Sequence, residues 1–112
     1  MHPDHVLDFY NELEKTSDFI KVKKVGLGDY GTAIHNVIIS QKKIFQADQK
    51  KNEFVFMIQN GIHSGESCGI DASQLFARHI LSEFKKHDKY KNIIFVIIPV
   101  YNIGGHQKFR PY

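Results

Sequence analysis

The chain contains a single cysteine, Cys68, among its 112 residues. No intrachain disulfide can form, which excludes a small secreted scaffold held together by bridges, although one thiol leaves the compartment open. No apolar run reaches membrane-spanning length. The opening Met1-His2-Pro3-Asp4 lacks the charged and apolar regions of a signal peptide, and a signal segment already removed would leave no trace. Internal repeats, low-complexity tracts and interdomain linkers are also missing. A large excess of one charge sign is absent as well: fifteen Lys and Arg stand against twelve Asp and Glu, a net +3. The excess sits in short clusters (Lys21, Lys23 and Lys24; Lys42 and Lys43; Lys50 and Lys51; Lys85 to Lys91) where elements end. A nucleic-acid binder needs a continuous basic face with aromatic platforms or a recognition helix, so these lysines read as solvated termini.

What is present is ordinary globular material, 42% hydrophobic and 24% charged, of a size for one domain with one core. Pro3 and Asp4 open a segment in which Val6, Leu7, Tyr10 and Leu13 recur at helical spacing, ending near Thr16-Ser17. Phe19 to Val25 and Ile34 to Ser40, joined by the turn-rich stretch Gly26 to Gly31, predict an antiparallel pair. The lysines of the first run place it near an edge. Phe54 to Ile58 and Ile93 to Ile98 are apolar throughout and predict strands covered on both faces, the second stopped by Pro99. Between them, Asp71 is a candidate cap for a helix of about four turns whose stripe is Ala72, Leu75, Phe76, His79, Ile80 and Phe84. Strand, helix, strand predicts a right-handed crossover onto a parallel pair. The expected fold is therefore α/β and three-layer, with a mixed, mostly parallel central sheet: an antiparallel edge pair on a parallel centre.

In open α/β sheets, ligands gather beyond the carboxyl ends of the parallel strands. Asn60 to Ile70 leaves one such end and Val100 to Tyr112 its neighbour, so these two polar, glycine-bearing loops are expected side by side. In the first, His63 and Glu66 stand three positions apart near a helix start, flanked by Gly61 and Gly65. Imidazole nitrogen and carboxylate oxygen at that spacing suit zinc. Solvated or helix-capping roles for the same two residues remain open on spacing alone. A catalytic zinc normally has three protein ligands plus water. Cys68 is near but small enough to be a space-filler, His79 lies on the apolar stripe and reads as packed, and His35 starts a distant strand. His106, in the adjacent loop, is the remaining internal candidate.

The stretch from Phe56 through Leu81 resembles the zinc-ligand segment of the zinc metallocarboxypeptidases, the family of pancreatic carboxypeptidase A, and its bacterial branch most of all. There an apolar strand runs into an Asn/Ala-Gly-Ile-His-x-Gly-Glu loop and a Gly-x-Asp-Ala helix start. Here the residues are Asn60-Gly61-Ile62-His63-Ser64-Gly65-Glu66 and Gly69-Ile70-Asp71-Ala72. Ile97 to His106 is similar to the family's strand and Pro-Val-x-Asn-x-Asp-Gly-His, with Gly104 in place of Asp. The Val25-to-Ser40 hairpin resembles the family's Gly-x-Ser-x-x-Gly-Arg turn, with Gly31-Thr32 in place of Gly-Arg.

The resemblance implies that His63 and Glu66 are the first two ligands of one zinc ion, and that no catalytic residue lies in this chain. The reaction implied is hydrolysis of a C-terminal peptide bond, or of a related amide in a cell-wall peptide, while the clustered lysines and the absence of a spanning apolar run predict no nucleic-acid or membrane partner. The family's Asn-Arg substrate clamp would begin just after Pro111-Tyr112, and its last zinc-binding His and general-base Glu follow far downstream. Arg110 stands before the clamp position and reads as solvated or locally paired. Residues 1–112 are thus expected to be the N-terminal portion of a catalytic domain, a truncated piece inactive alone, with a cut sheet edge that favours self-association. A non-catalytic binding module would keep the fold and lose the metal site. A serine or cysteine hydrolase is the third reading, since Gly61-Ile62-His63-Ser64-Gly65 superficially matches a nucleophile elbow. Its central residue, however, is His63 rather than serine.

Overall fold

A computed structural model of the chain describes residues 3–27, 33–60 and 68–99. Helix α1 spans Pro3–Thr16. Proline suits a first helical position, where its fixed φ is already helical and its missing N–H is not required. The helix buries Val6 and Tyr10, four positions apart on one face. It closes with the Thr16 hydroxyl donating to the Leu13 carbonyl at 3.0 Å.

Strands β1 (Ile20–Leu27) and β2 (Ala33–Ser40) pair antiparallel, as the two β-branched runs predict, with an irregularity between Lys24 and Gly26. Alternation sends Ile20, Val22, Val37 and Ile39 to one face. After Ser40 the chain turns sharply. Lys43 takes a left-handed φ of 60°, its N–H donates to the Ser40 carbonyl, and the buried Ser40 hydroxyl accepts from Ile44 N–H at 3.0 Å. A short 3-10 helix, Ala47–Gln49, follows. Then come β3 (Phe54–Gln59), α2 (Cys68–Phe84) and β4 (Ile93–Ile98).

Among the described residues, four strands lie in the order β1-β2-β4-β3. β3 and β4 run parallel from Phe54 opposite Ile93 to Gln59 opposite Ile98, joined through α2 as the strand-helix-strand pattern predicts. The remaining neighbours, β2 and β4, are antiparallel, with Val37 opposite Ile97 and Ser40 opposite Ile94. Two of the three pairings are therefore antiparallel, and the expected mostly parallel sheet is corrected to a mostly antiparallel one. The physical reason is that apolarity on both faces reports burial, which parallel sheets require but do not monopolise. The link from β2 to β3 carries only a 3-10 turn, and no crossover helix dictates its sense.

The α/β layering stands. Helix residues Val6, Tyr10, Ile70, Ala77, Ile80, Leu81 and Phe84 form one core with Ile20, Val37, Ile39, Phe95 and Ile97 from a single face of the sheet. The other face carries Ile38, Val55 and Ile94, against which Ile44, Phe45 and Ala47 line an apolar cleft. β4, central, is buried from Ile94 to Ile97. β3, expected to be covered on both faces, is an edge strand with Phe54 77% and Phe56 57% exposed, and Val55 and Met57 also exposed.

Candidate metal centre

Parallel pairing brings the carboxyl ends of β3 and β4 together. Asn60 N–H donates to the Ile98 carbonyl at 3.1 Å, one residue before the buried Pro99. The last described residues before 61–67 and 100–112, Asn60 and Pro99, are therefore neighbours at the carboxyl ends of the parallel pair. That is the arrangement in which an α/β sheet gathers ligands.

On the helical side, α2 begins at Cys68 rather than at Asp71. Asp71 lies in the first turn, where its negative charge favours the positive end of the helix dipole, and not in the capping position expected from sequence. The earlier start is hidden in the sequence by Gly69, a poor helix former. The buried stripe is also offset from the expected one. Ile70, Ser73, Ala77, Ile80, Leu81 and Phe84 face the core, whereas Ala72, Leu75 and His79 are exposed.

Among the described residues, a polar contact joins the end of β3 to α2. Asn60 Nδ2 donates to Ser73 Oγ at 2.6 Å, and both residues are 5% exposed. Sequence reasoning assigned no role to either residue. The available signal was Ser73 itself, a hydroxyl between Ile70 and Ala77 on the stripe that α2 buries.

His63 and Glu66, the predicted ligands, lie outside the described residues, as do His106, Arg110 and Ser64. Cys68 is the first residue of α2. His79 is exposed, not packed. His35 is nearer the site end than the sequence suggests: Val37 opposes Ile97, so His35, two residues earlier, lies toward the carboxyl end of β4. Among the described residues, no group of three or more His, Cys, Asp or Glu is placed to hold a metal. The apolar cleft beside Ile94 and the one between Leu13 and Lys85 include none of Asn60, Ser73 and Pro99. No helix among the described residues is long and apolar enough to cross a membrane.

The family model for zinc carboxypeptidases matches residues 6–111. The chain belongs to the zinc carboxypeptidase family. Among solved structures it is similar to the carboxypeptidase A of Helicoverpa armigera, at 25% identity and a TM-score of 0.74, covering 96% of this chain and 25% of that one. It is similar too to bovine thrombin-activatable fibrinolysis inhibitor, solved in complex with tick carboxypeptidase inhibitor. There the identity is 19% and the TM-score 0.73, covering 95% of this chain and 32% of that one. The chain thus spans a quarter to a third of the length of these solved relatives. No curated protein matches it. The donor chemistry of the 61–67 connection fits the family's metal: one imidazole and one carboxylate, borderline and hard donors of the kind zinc takes together.

Proposed function

We propose that residues 1–112 form the N-terminal portion of a zinc metallocarboxypeptidase catalytic domain, in which His63 and Glu66 supply two of the three protein ligands to one zinc ion. The reaction is hydrolysis of a C-terminal peptide bond, or of a related amide in a cell-wall peptide. The observation that carries this reading is the family match along almost the whole chain, residues 6–111. The β3-α2-β4 unit supports it by sending the connection that bears His63 and Glu66 out from the carboxyl end of a parallel strand.

Zinc, when bound, polarises the scissile carbonyl and lowers the pKa of a bound water. The work of this chain's own residues is to hold. His63 contributes a ring nitrogen and Glu66 its carboxylate, and neither moves a proton. Two ligands do not complete a catalytic site, so the third ligand, the substrate clamp and the general base belong to the part of the domain that this chain does not span. On this reading the 112-residue chain alone does not turn over substrate.

Metal content per chain in full-length protein tests the assignment. His63→Ala and Glu66→Ala each remove a bond to the metal, so zinc affinity falls by more than the roughly 10–100-fold typical of losing an outer-shell partner. Activity falls with it. Ser64→Ala keeps both zinc and activity, and a chelator abolishes turnover. Full zinc retention in H63A, or loss of activity in S64A with indifference to chelation, would replace the metallohydrolase by another reading.

A further inference from the structure

We propose that Asn60 and Ser73 are a positioning pair for the metal-binding connection they bracket, a role that rests on the zinc reading above. β3 is exposed from Phe54 to Met57, Ile58 is half-buried against the core, and Asn60, just past the end of the strand, is buried. Two hydrogen bonds hold that end in different directions. The backbone N–H reaches Ile98 within the sheet at 3.1 Å, and the side-chain amide leaves the sheet toward Ser73 on α2 at 2.6 Å. Asn60 is therefore fixed both along the sheet and relative to the helix. Seven residues, 61–67, separate it from the first residue of α2. Two of them are glycines, Gly61 and Gly65, a residue type that widens the backbone choices of any connection. The pair thereby ties together the two described ends between which this short segment, with His63 and Glu66, runs.

Apolar residues at positions 60 and 73 would fill the same interior without a directional demand. A buried polar pair instead accepts only one separation and orientation, and each partner left alone would be an unsatisfied group. Metal sites need that definition, because ligand placement is set by the contacts surrounding the ligands. Asn60 and Ser73 do not touch the metal on this view; they hold the frame from which the ligands reach.

The test is the zinc dissociation constant of full-length protein, measured by competition with a chelator, with the metal-free urea midpoint as a second readout. Ser73→Ala is nearly isosteric and favours the helix, so α2 is retained. In Asn60→Ala the freed hydroxyl can turn to a carbonyl of its own helix. Each variant is expected to bind zinc about 10–100-fold more weakly, the range for lost supporting contacts. The double variant should bind no more weakly than the worse single one, because one contact is removed in all three. A purely structural pair would shift the metal-free midpoint and leave the zinc constant of the folded protein unchanged; that result, or additive losses in the double variant, overturns the proposal. His63→Ala separates the two readings. If it keeps zinc, or wild type holds none, the zinc reading fails and the positioning role falls with it. If it loses zinc while S73A and N60A retain full affinity, the positioning role alone fails.

Discussion

The Glu53 carboxylate, at a residue only 5% exposed, accepts the Lys51 backbone N–H at 2.9 Å and the Lys42 ammonium at 3.1 Å. The Lys51 N–H bond, foremost, and the Lys42 side chain hold its pKa at about 2, down from an ordinary 4.5. A folded-state value below the unfolded one means that this group's stabilisation is fully present above pH 4.5 and is lost as pH falls toward 2. Glu53→Gln should therefore lower stability at neutral pH and flatten the stability profile within that window, as read by urea midpoints at stepped pH. An unchanged slope would show that the carboxylate is not what titrates. Nothing in the polar stretch before β3 distinguishes Glu53 in the sequence, because its partners are set by how the chain folds back on itself. His63 and Glu66 are the opposite case. Their spacing alone leaves capping or solvated roles open, and the proposal that they hold a metal comes from the motif they share with the family, whereas Asn60 and Ser73 become a pair only once β3 and α2 are packed.

Among the elements, β3 and β4 look alike in sequence, each six residues of nearly unbroken apolarity. The structure separates them by neighbours: β4 lies between β2 and β3, and β3 lies at the edge. Composition records that a strand suits an interior, not how many strands will flank it, and for that reason the parallel pair was legible and the sense of β2 against β4 was not. Helix α2 shows the same limit on one face. Two apolar stripes can be drawn along it, and Ser73 breaks the one that is buried. Its far end is held by a residue from the turn after β2: Gln41 Nε2 donates to the Phe84 carbonyl at 3.0 Å and also to the carbonyl of His87. The last carbonyls of a helix have no partner within it. Gln41→Ala leaves the Phe84 carbonyl without that donor beside a buried side chain, and should cost about 1 kcal/mol. Faster amide exchange confined to the last turn of α2 would be the accompanying sign. A loss spread evenly over the molecule would mean that Gln41 acts through packing instead.

At the scale of the whole molecule, the two sheet edges differ in chemistry. β1 carries Lys21, Lys23 and Lys24, which discourage pairing with another strand, but Phe54–Gln59 carries no charge. The direction of its free groups follows from the bonds it makes. Phe54 N–H points to Asn92 and Asn60 N–H to Ile98, both toward β4, so the period of two turns the N–H groups of Val55, Met57 and Gln59 away from β4. With Phe54 and Phe56 exposed on one face and Val55 and Met57 on the other, the edge offers both backbone donors and apolar cover. Paired antiparallel with a second copy, it would meet no like charge within the strand. The isolated 112-residue chain is accordingly expected to self-associate in the micromolar-to-millimolar range where exposed edges drive association. Met57→Lys places a charge on that edge at an exposed position that contributes nothing to the core. It should leave the unfolding midpoint within about 0.5 kcal/mol of wild type while shifting sedimentation equilibrium to monomer. A chain that is strictly monomeric at millimolar concentration removes the premise. Association that persists unchanged in M57K would move the contact to the apolar cleft lined by Ile38, Phe45 and Ile94, on the sheet face opposite the helices.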